Sequence, residues 1–375
     1  MTSSAETVAE IIAARIAVAG YKWVDAPILQ PARIYIDQSG EDLRRRTYIF
    51  TGPDGEELCL RPEQTIPVAR VFLERGLGGK RPARLAYRGR VFRQPPAGSS
   101  RPSEYDQMGV ERFGGENAHG EDAEALAIAW TSVSDAGVSD LRLNFGDLGL
   151  FRALVDALDA SDGWRARMKR TFAHPAAFQR LLTSMGEPAA QDETGLFAAL
   201  AGLKPEAAQE VVSDVLELAG IRTVGGRTVD EITERFLQKA GDAAMAALPA
   251  PVIKSILAFL NVKDAPDAAI EALRKTARDA GADIEDALER AKARFARMAE
   301  AGIDATGATF SASFGRQFDY YTDFVFEIVS PKLEADAPLA AGGRYDTLLR
   351  RLGAPEDMPA VGCMLRPDRI AEAAS

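Results

Sequence analysis

The sequence predicts an α+β protein in which an antiparallel sheet, flanked by helices, is assembled from two separated stretches of chain around a helical insertion. Three observations carry this expectation. Two strand-like segments, Arg84 to Arg93 and Glu104 to Phe113, are joined by a loop rich in Pro, Gly and Ser. From about Gly163 to Gly302, alanine-rich helical stretches take over, broken at Gly186-Glu187-Pro188, Gly220, Gly225-Gly226 and Pro249-Ala250-Pro251. Beyond Gly302 the strand pattern resumes in 308–314, 324–329 and 359–365. The expected division is a first core segment over 1–150, a mainly helical insertion over 151–302 and a second core segment over 303–375.

Taken in order, Ser3 with Glu6 reads as a capping box, and Val8, Ile12 and Ile16 recur at helical spacing until Gly20 provides a stop. Tyr21 to Leu29 turns extended because Pro27 and Pro31 break any helix, with Ile34-Tyr35-Ile36 following in the same extended run. Gly52-Pro53-Asp54-Gly55, between 48–51 and 58–61, signals a hairpin. It delivers Arg61-Pro62-Glu63-Gln64-Thr65 to a helix over 66–75, with Thr65 as N-cap and Pro67 in the first turn. A helix from about Gly120 to Ala136 sets Glu121 and Asp122 at its positive end and turns Ala123, Leu126, Trp130 and Val133 toward the core. Leu141 to Phe145 alternates as a strand. In the insertion the clearest helix is capped by Asp283, carries Ile284, Leu288, Ala291, Phe295 and Met298 on one face, and stops at Gly302.

With 375 residues and 46% hydrophobic content, the chain can bury a sizeable core. Lys and Arg number 45 against 55 Asp and Glu, a net charge of -10, which argues against nonspecific binding to nucleic acid or membranes. Cys59, Cys363, His119 and His174 lie far apart, supporting neither a disulfide framework nor a Cys/His zinc site, so no metal or cofactor is expected. The first residues lack the basic and apolar regions of a leader, and no apolar run reaches membrane-spanning length, so a cytoplasmic chain is expected.

Strand alternation turns Gln107, Gly109 and Glu111 to one face and Met108 and Val110 to the other. If the two strands pair, Arg93 comes near Gln107 and Glu111, and a guanidinium, an amide and a carboxylate surround a small space suited to a zwitterion. A solvated sheet face with an ordinary ion pair fits the same residues. Glu63 stands between a strand end and a helix start, where ligands and backbone ends meet. The Arg, Asp and Tyr residues of Arg316 to Tyr321 and of Gly342 to Asp346 fit either an aromatic corner or a pocket for a planar ring.

These elements, in this order, resemble the histidyl-tRNA synthetase family and its paralogues of the class II synthetase fold. The resemblance covers the first 145 residues and about the last 75. Arg61-Pro62-Glu63-Gln64-Thr65 resembles the family's Arg-Pro-Glu-x-Thr, and Phe92-Arg93 the Phe-Arg of motif 2. Arg316 to Tyr321 resembles Arg-x-x-Asp-Tyr-Tyr, and Gly342 to Asp346 with Pro359 to Gly362 the approach to motif 3. The resemblance implies a histidine-binding set of Glu63, Thr65, Arg93, Gln107, Glu111, Arg316, Tyr320 and Tyr321. In it Glu63, Thr65 and Gln107 meet the ammonium, Glu111 and Tyr321 the ring nitrogens, and Arg316 the carboxylate.

The chain also departs from the synthetase pattern. Pro95 stands where motif 2 has an acid that helps read adenine, and Arg366 where motif 3 has a glycine that leaves room for nucleotide. The sequence ends six residues after Arg369, so no counterpart of an anticodon-binding domain is expected. This combination resembles the synthetase-like regulatory subunits of ATP phosphoribosyltransferase. The resemblance implies no catalytic residues in this chain. It implies a partner, the short catalytic subunit acting at the first step of histidine biosynthesis, with histidine as feedback effector and a homodimer inside a hetero-oligomer. A truncated histidine-activating enzyme is the alternative, kept open by Arg93, Arg316 and Arg369.

Overall fold

Both ends of the chain meet in one sheet. The computed structural model describes residues 4–38, 43, 45–76, 82–96, 98–99, 101–185, 207, 210–211, 214, 248–303, 307–315, 320–333 and 338–375. Its strands are β1 (Lys22–Trp23), β2 (Leu29–Pro31), β3 (Ile49–Thr51), β4 (Glu57–Leu60), β5 (Ala83–Phe92), β6 (Glu104–Phe113), β7 (Arg142–Asp147), β8 (Lys263–Asp264), β9 (Thr309–Ser311), β10 (Phe324–Val329), β11 (Ala340–Arg344) and β12 (Ala360–Leu365). Nine of them form a sheet in the order β1-β5-β6-β12-β11-β10-β7-β9-β8, and β2-β4-β3 form a small second sheet. Among the described strands, only β1 with β5 and β7 with β9 run parallel. The central pairing joins β6 to β12, with Glu111 opposite Gly362, so the two core segments are hydrogen-bonded to each other in mid-sheet.

The helices are α1 (Ala5–Val18), α2 (Ala32–Gln38), α3 (Thr65–Glu74), α4 (Ala118–Asp135), α5 (Leu148–Ala157), α6 (Asp162–Thr171), α7 (Pro175–Met185), α8 (Ala250–Leu260), α9 (Pro266–Asp279), α10 (Glu285–Glu300), α11 (Leu348–Arg351) and α12 (Pro367–Ala373). None of the described helices is long and apolar enough to cross a membrane. Helix α1 buries Val8, Ile12 and Ile16 as the periodicity predicts, and Gly20 ends it at φ 75°. Its cap is Ser4, whose Oγ accepts from the Thr7 amide at 3.1 Å, while Glu6 pairs with Arg88. Ser3 lies outside the described residues. Ile34-Tyr35-Ile36 is not extended but part of α2: Pro31 ends β2, and the chain turns helical immediately after it.

The sheet separates two buried clusters, as its alternation requires. Ala86, Met108 and Val110 join Ile12, Leu126, Phe145 and Phe310 in the larger one, behind the sheet. Leu85, Tyr87 and Phe113 join Tyr35, Ile66, Phe72, Tyr320 and Tyr345 in the smaller one, in front. There Phe72 of α3 stacks on Phe113 with ring centres 4.6 Å apart. Side chains of the 151–302 stretch enter the rear cluster, among them Phe151, Ile256, Ile270 and Leu288, and β8 adds the last strand of the sheet.

A buried ion cluster ties that stretch to the sheet. Arg294 of α10 donates to Asp122 at 2.8 Å and to Asp147, and Arg344 of β11 donates to the other Asp122 oxygen at 2.8 Å and to Asp346 at 3.1 Å. Arg344 also pairs with Glu121 at 3.4 Å, so Glu121 and Asp122 are ion-pair partners within the core, beyond the helix-end role their position suggests. Every member makes several charge-assisted bonds, the condition under which buried charges are tolerated.

Candidate ligand-binding site

The front face of the sheet is built on glycines. Across β5 and β6, Leu85 pairs with Glu111, Tyr87 with Gly109 and Gly89 with Gln107, and all six side-chain positions share one face. The Glu111 row continues to Gly362 on β12 and Gly343 on β11. Each glycine leaves room for a neighbouring side chain to lie flat. The Tyr87 phenol crosses Gly109, the Glu111 carboxylate crosses Gly362, and the Tyr321 ring lies over Gly343, where a methyl would stand 2.8 Å from the ring. Arg61 crosses Gly89.

Two carboxylates occupy this face with almost no exposure, Glu63 at 4% and Glu111 at 1%. Helix α3 positions the first. Glu63 accepts from the amides of Thr65 at 2.7 Å and Ile66 at 3.0 Å, capping the helix in place of the Thr65 side chain. Released from capping, the Thr65 hydroxyl donates to Glu111 at 2.7 Å. The other Glu111 oxygen accepts from the Tyr345 hydroxyl. Burial pushes the Glu111 carboxyl up to about 8, against the opposing pull of its Tyr345, Thr65 and Tyr87 hydrogen bonds, and the negative charge of Glu63 adds to the rise. Burial also raises Glu63, against the pull of its two backbone amides and of Arg93. Four phenols, Tyr87, Tyr320, Tyr321 and Tyr345, are held above their ordinary value by burial and by the Glu111 charge. Tyr320 and Tyr321 are hydrogen-bonded to each other, with ring centres 4.8 Å apart, and Tyr320 meets Tyr345 edge-on. The result is an acidic, aromatic, largely dry site. It complements a ligand that carries positive charge or ring N–H donors.

Of the residues singled out in the sequence, Glu63, Thr65, Glu111, Tyr320 and Tyr321 come together here, and Gln107 shares their face two pairs along β6. Arg93 is placed differently from the expectation. Its Nε donates to the Pro62 carbonyl at 2.7 Å, and its guanidinium lies 5.8 Å from the Tyr105 ring centre, beside Glu63 rather than Glu111. The hairpin register explains this: the Arg93 amide bonds Ser103 at the loop end, eight residues along the strand from Leu85, the partner of Glu111. Arg316 lies outside the described residues. Tyr87 and Tyr345 were not singled out individually. Strand alternation was the signal that could have found Tyr87, and Tyr345 stands next to Arg344, which points to the opposite face. Where the synthetase pattern keeps room for nucleotide, the Arg366 guanidinium stacks 3.5 Å from the Tyr105 ring centre and is held by two bonds to Asp368 at 2.9 and 2.6 Å.

The histidyl-tRNA synthetase family model matches residues 2–234 and 209–370. The chain is 37% identical over 352 residues to the ATP phosphoribosyltransferase regulatory subunit of Brucella anthropi, covering 92% of each chain, and equally to that of Brucella canis. It belongs to the ATP phosphoribosyltransferase regulatory subunit family. In fold, the regulatory-subunit chain is similar to a crystal structure from Bacillus halodurans described as an ATP phosphoribosyltransferase regulatory subunit/histidyl-tRNA synthetase. The TM-score is 0.66 at 20% identity, covering 100% of this chain and 81% of that one. A histidine–tRNA ligase subunit from Alicyclobacillus acidocaldarius aligns with a TM-score of 0.57 at 24% identity, over 98% of this chain and 92% of that one. The class II synthetase-like α+β fold of this regulatory-subunit family is thus the one its sequence predicts.

Proposed function

We propose that this chain is a noncatalytic, cytoplasmic regulatory subunit that binds histidine on the Glu111 face. In this reading it activates the short catalytic subunit of ATP phosphoribosyltransferase and transmits feedback inhibition to it. The observation that carries the reading is Glu111 itself, a carboxylate buried between Thr65 and Tyr345 with a second carboxylate nearby. That arrangement is unfavourable when empty and is relieved by a ligand bringing N–H donors and positive charge. Glu111 and Tyr321 take the imidazole nitrogens, and the α-amino-acid end lies toward Gln107. Arg316 is assigned to the carboxylate by its place in the motif. Catalysis belongs to the partner chain. The Arg366 stack on Tyr105 supports this, because Arg366 stands where the synthetase pattern has the glycine that leaves room for nucleotide. Histidine must bind the inhibited arrangement of the complex more tightly than the active one, and a coupling of roughly 1–3 kcal/mol suffices.

The chain acts as a homodimer within the hetero-oligomer. Trp23, Ile28, Leu29, Ile49 and Phe50 are large apolar side chains between 40% and 51% exposed, clustered in sequence around β1 to β3. Leu29, Ile49 and Phe50 share one small sheet, and that concentration of exposed apolar side chains supports a partner surface there. The test of the functional reading is histidine-dependent exchange of labelled pyrophosphate into ATP by the purified chain, with histidine binding followed by calorimetry in the same sample. Binding without exchange is expected. Robust exchange would replace this reading with that of a truncated histidine-activating enzyme.

A further inference from the structure

The family pattern Arg-Pro-Glu-x-Thr leaves its fourth position open, and here that residue is Gln64. Its side chain is 1% exposed, yet neither Nε2 nor Oε1 has a hydrogen-bond partner. Native folds rarely keep both ends of a buried amide unmet. Gln107, 2% exposed, leaves its Oε1 unmet as well.

Both amides converge on one place. Gln107 pairs with Gly89 across β5 and β6, and a Cβ built on Gly89 would stand 3.1 Å from Gln64 Nε2. Arg61 lies across the same glycine, anchored through Nε to the Arg90 carbonyl at 2.8 Å and through Nη1 to the Ala26 carbonyl at 2.5 Å, with Nη2 turned to Gly89. Two donors, Gln64 Nε2 and Arg61 Nη2, thus stand over the glycine whose cross-strand partner is Gln107. Gln107 and Glu111 are four residues apart on one strand face, roughly 13 Å between their Cα atoms at about 3.3 Å per residue. Of the three residues expected to take the ammonium, two are otherwise engaged, since Glu63 caps α3 and Thr65 bonds Glu111.

We infer that Gln64 is a ligand-binding residue. Its amide and the Arg61 guanidinium hold one oxygen of the α-carboxylate while Gln107 Oε1 accepts from the α-ammonium, so the complete amino acid binds more tightly than its decarboxylated amine. Because both Gln64 atoms are unpartnered, the amide is free to take the orientation the ligand sets. The inference rests on the histidine reading for the identity of the ring end, and on its own geometry for the α end.

Calorimetric titration of the full chain with histidine and with histamine, which lacks the carboxylate, tests it in the wild type, Q64L and Q64M. Both variants should bind histidine about 10-fold or more weakly, the loss of a charge-assisted hydrogen bond, and bind histamine unchanged. Their unfolding temperatures should not fall, because two unmet polar atoms are removed. Equal losses for both ligands, or no loss for histidine, would overturn the assignment. Should the wild type bind another amino acid instead, the histidine reading fails. The same comparison, run with that amino acid and its decarboxylated amine, then decides the role of Gln64. Binding of no amino acid at all would overturn both.

Discussion

Replacing Glu111 with Gln separates the stability of the empty site from its function. The folded Glu111 carboxyl titrates at about 8 against 4.5 for an ordinary glutamate, mainly because burial disfavours its charged form. Between these two values the folded chain holds a proton that the unfolded chain releases. The contribution of Glu111 to stability is therefore fully present below pH 4.5 and is lost as pH rises through about 8. At about 1.4 kcal/mol per unit the full loss is roughly 5 kcal/mol, of which about 3 kcal/mol is already felt at pH 7. Gln keeps the shape and does not ionise. One of its atoms can accept from Tyr345, and its NH2 can donate to the Thr65 hydroxyl, at a cost of about 1 kcal/mol for imperfect hydrogen bonds. E111Q should thus be more stable than the wild type by roughly 2–4 kcal/mol near pH 8.5, with the difference shrinking toward pH 5 and histidine binding lost throughout. Urea unfolding of both proteins in parallel from pH 5 to 9 measures this. A variant that is less stable at every pH, with the same pH slope as the wild type, would mean that Glu111 is ionised and satisfied in the empty site.

Histidine binding should release about one proton near pH 7, because the ligand's donors favour ionised Glu111; titration in buffers of different ionisation heat reads this directly, and affinity should rise toward pH 8. Gly362→Ala should abolish histidine binding and cost about 1–3 kcal/mol in unfolding experiments, since the added methyl collides with the Glu111 carboxylate. Arg294→Met should cost roughly 3–5 kcal/mol, because Asp122 and Asp147 lose a buried partner; unfolding by urea measures it.

The period of two along β6 made one site face readable, since Gln107, Gly109 and Glu111 turn together whatever pairs beside them. The α+β organisation was readable for the same reason, in the change from alternating to helical spacing and back. What stayed hidden depends on chain segments far apart. The glycines act as a set only after β5, β6, β12 and β11 come into register, and Gly362 serves Glu111 across 251 positions of sequence. Capping was misplaced at two helices because adjacent side chains compete for the same amides. Ser4 caps α1, and the longer Glu63 side chain takes both α3 amides and leaves Thr65 for the site. The expected meeting of Arg93 with Glu111 failed on register, which pairs Glu111 with Leu85 and leaves Arg93 at the loop end beside Ser103. Asp122 gave no sign of Arg344 and Arg294, which reach it from 222 and 172 residues away.

The central claim is that this chain senses histidine on behalf of a catalytic partner. The most direct measurement is the rate at which the short catalytic subunit condenses ATP with phosphoribosyl pyrophosphate, followed across a histidine titration with and without this chain. The account predicts that the chain raises the rate and that inhibition by histidine appears only when the chain is present. Equal inhibition of the catalytic subunit alone, or a rate indifferent to the chain, would contradict it.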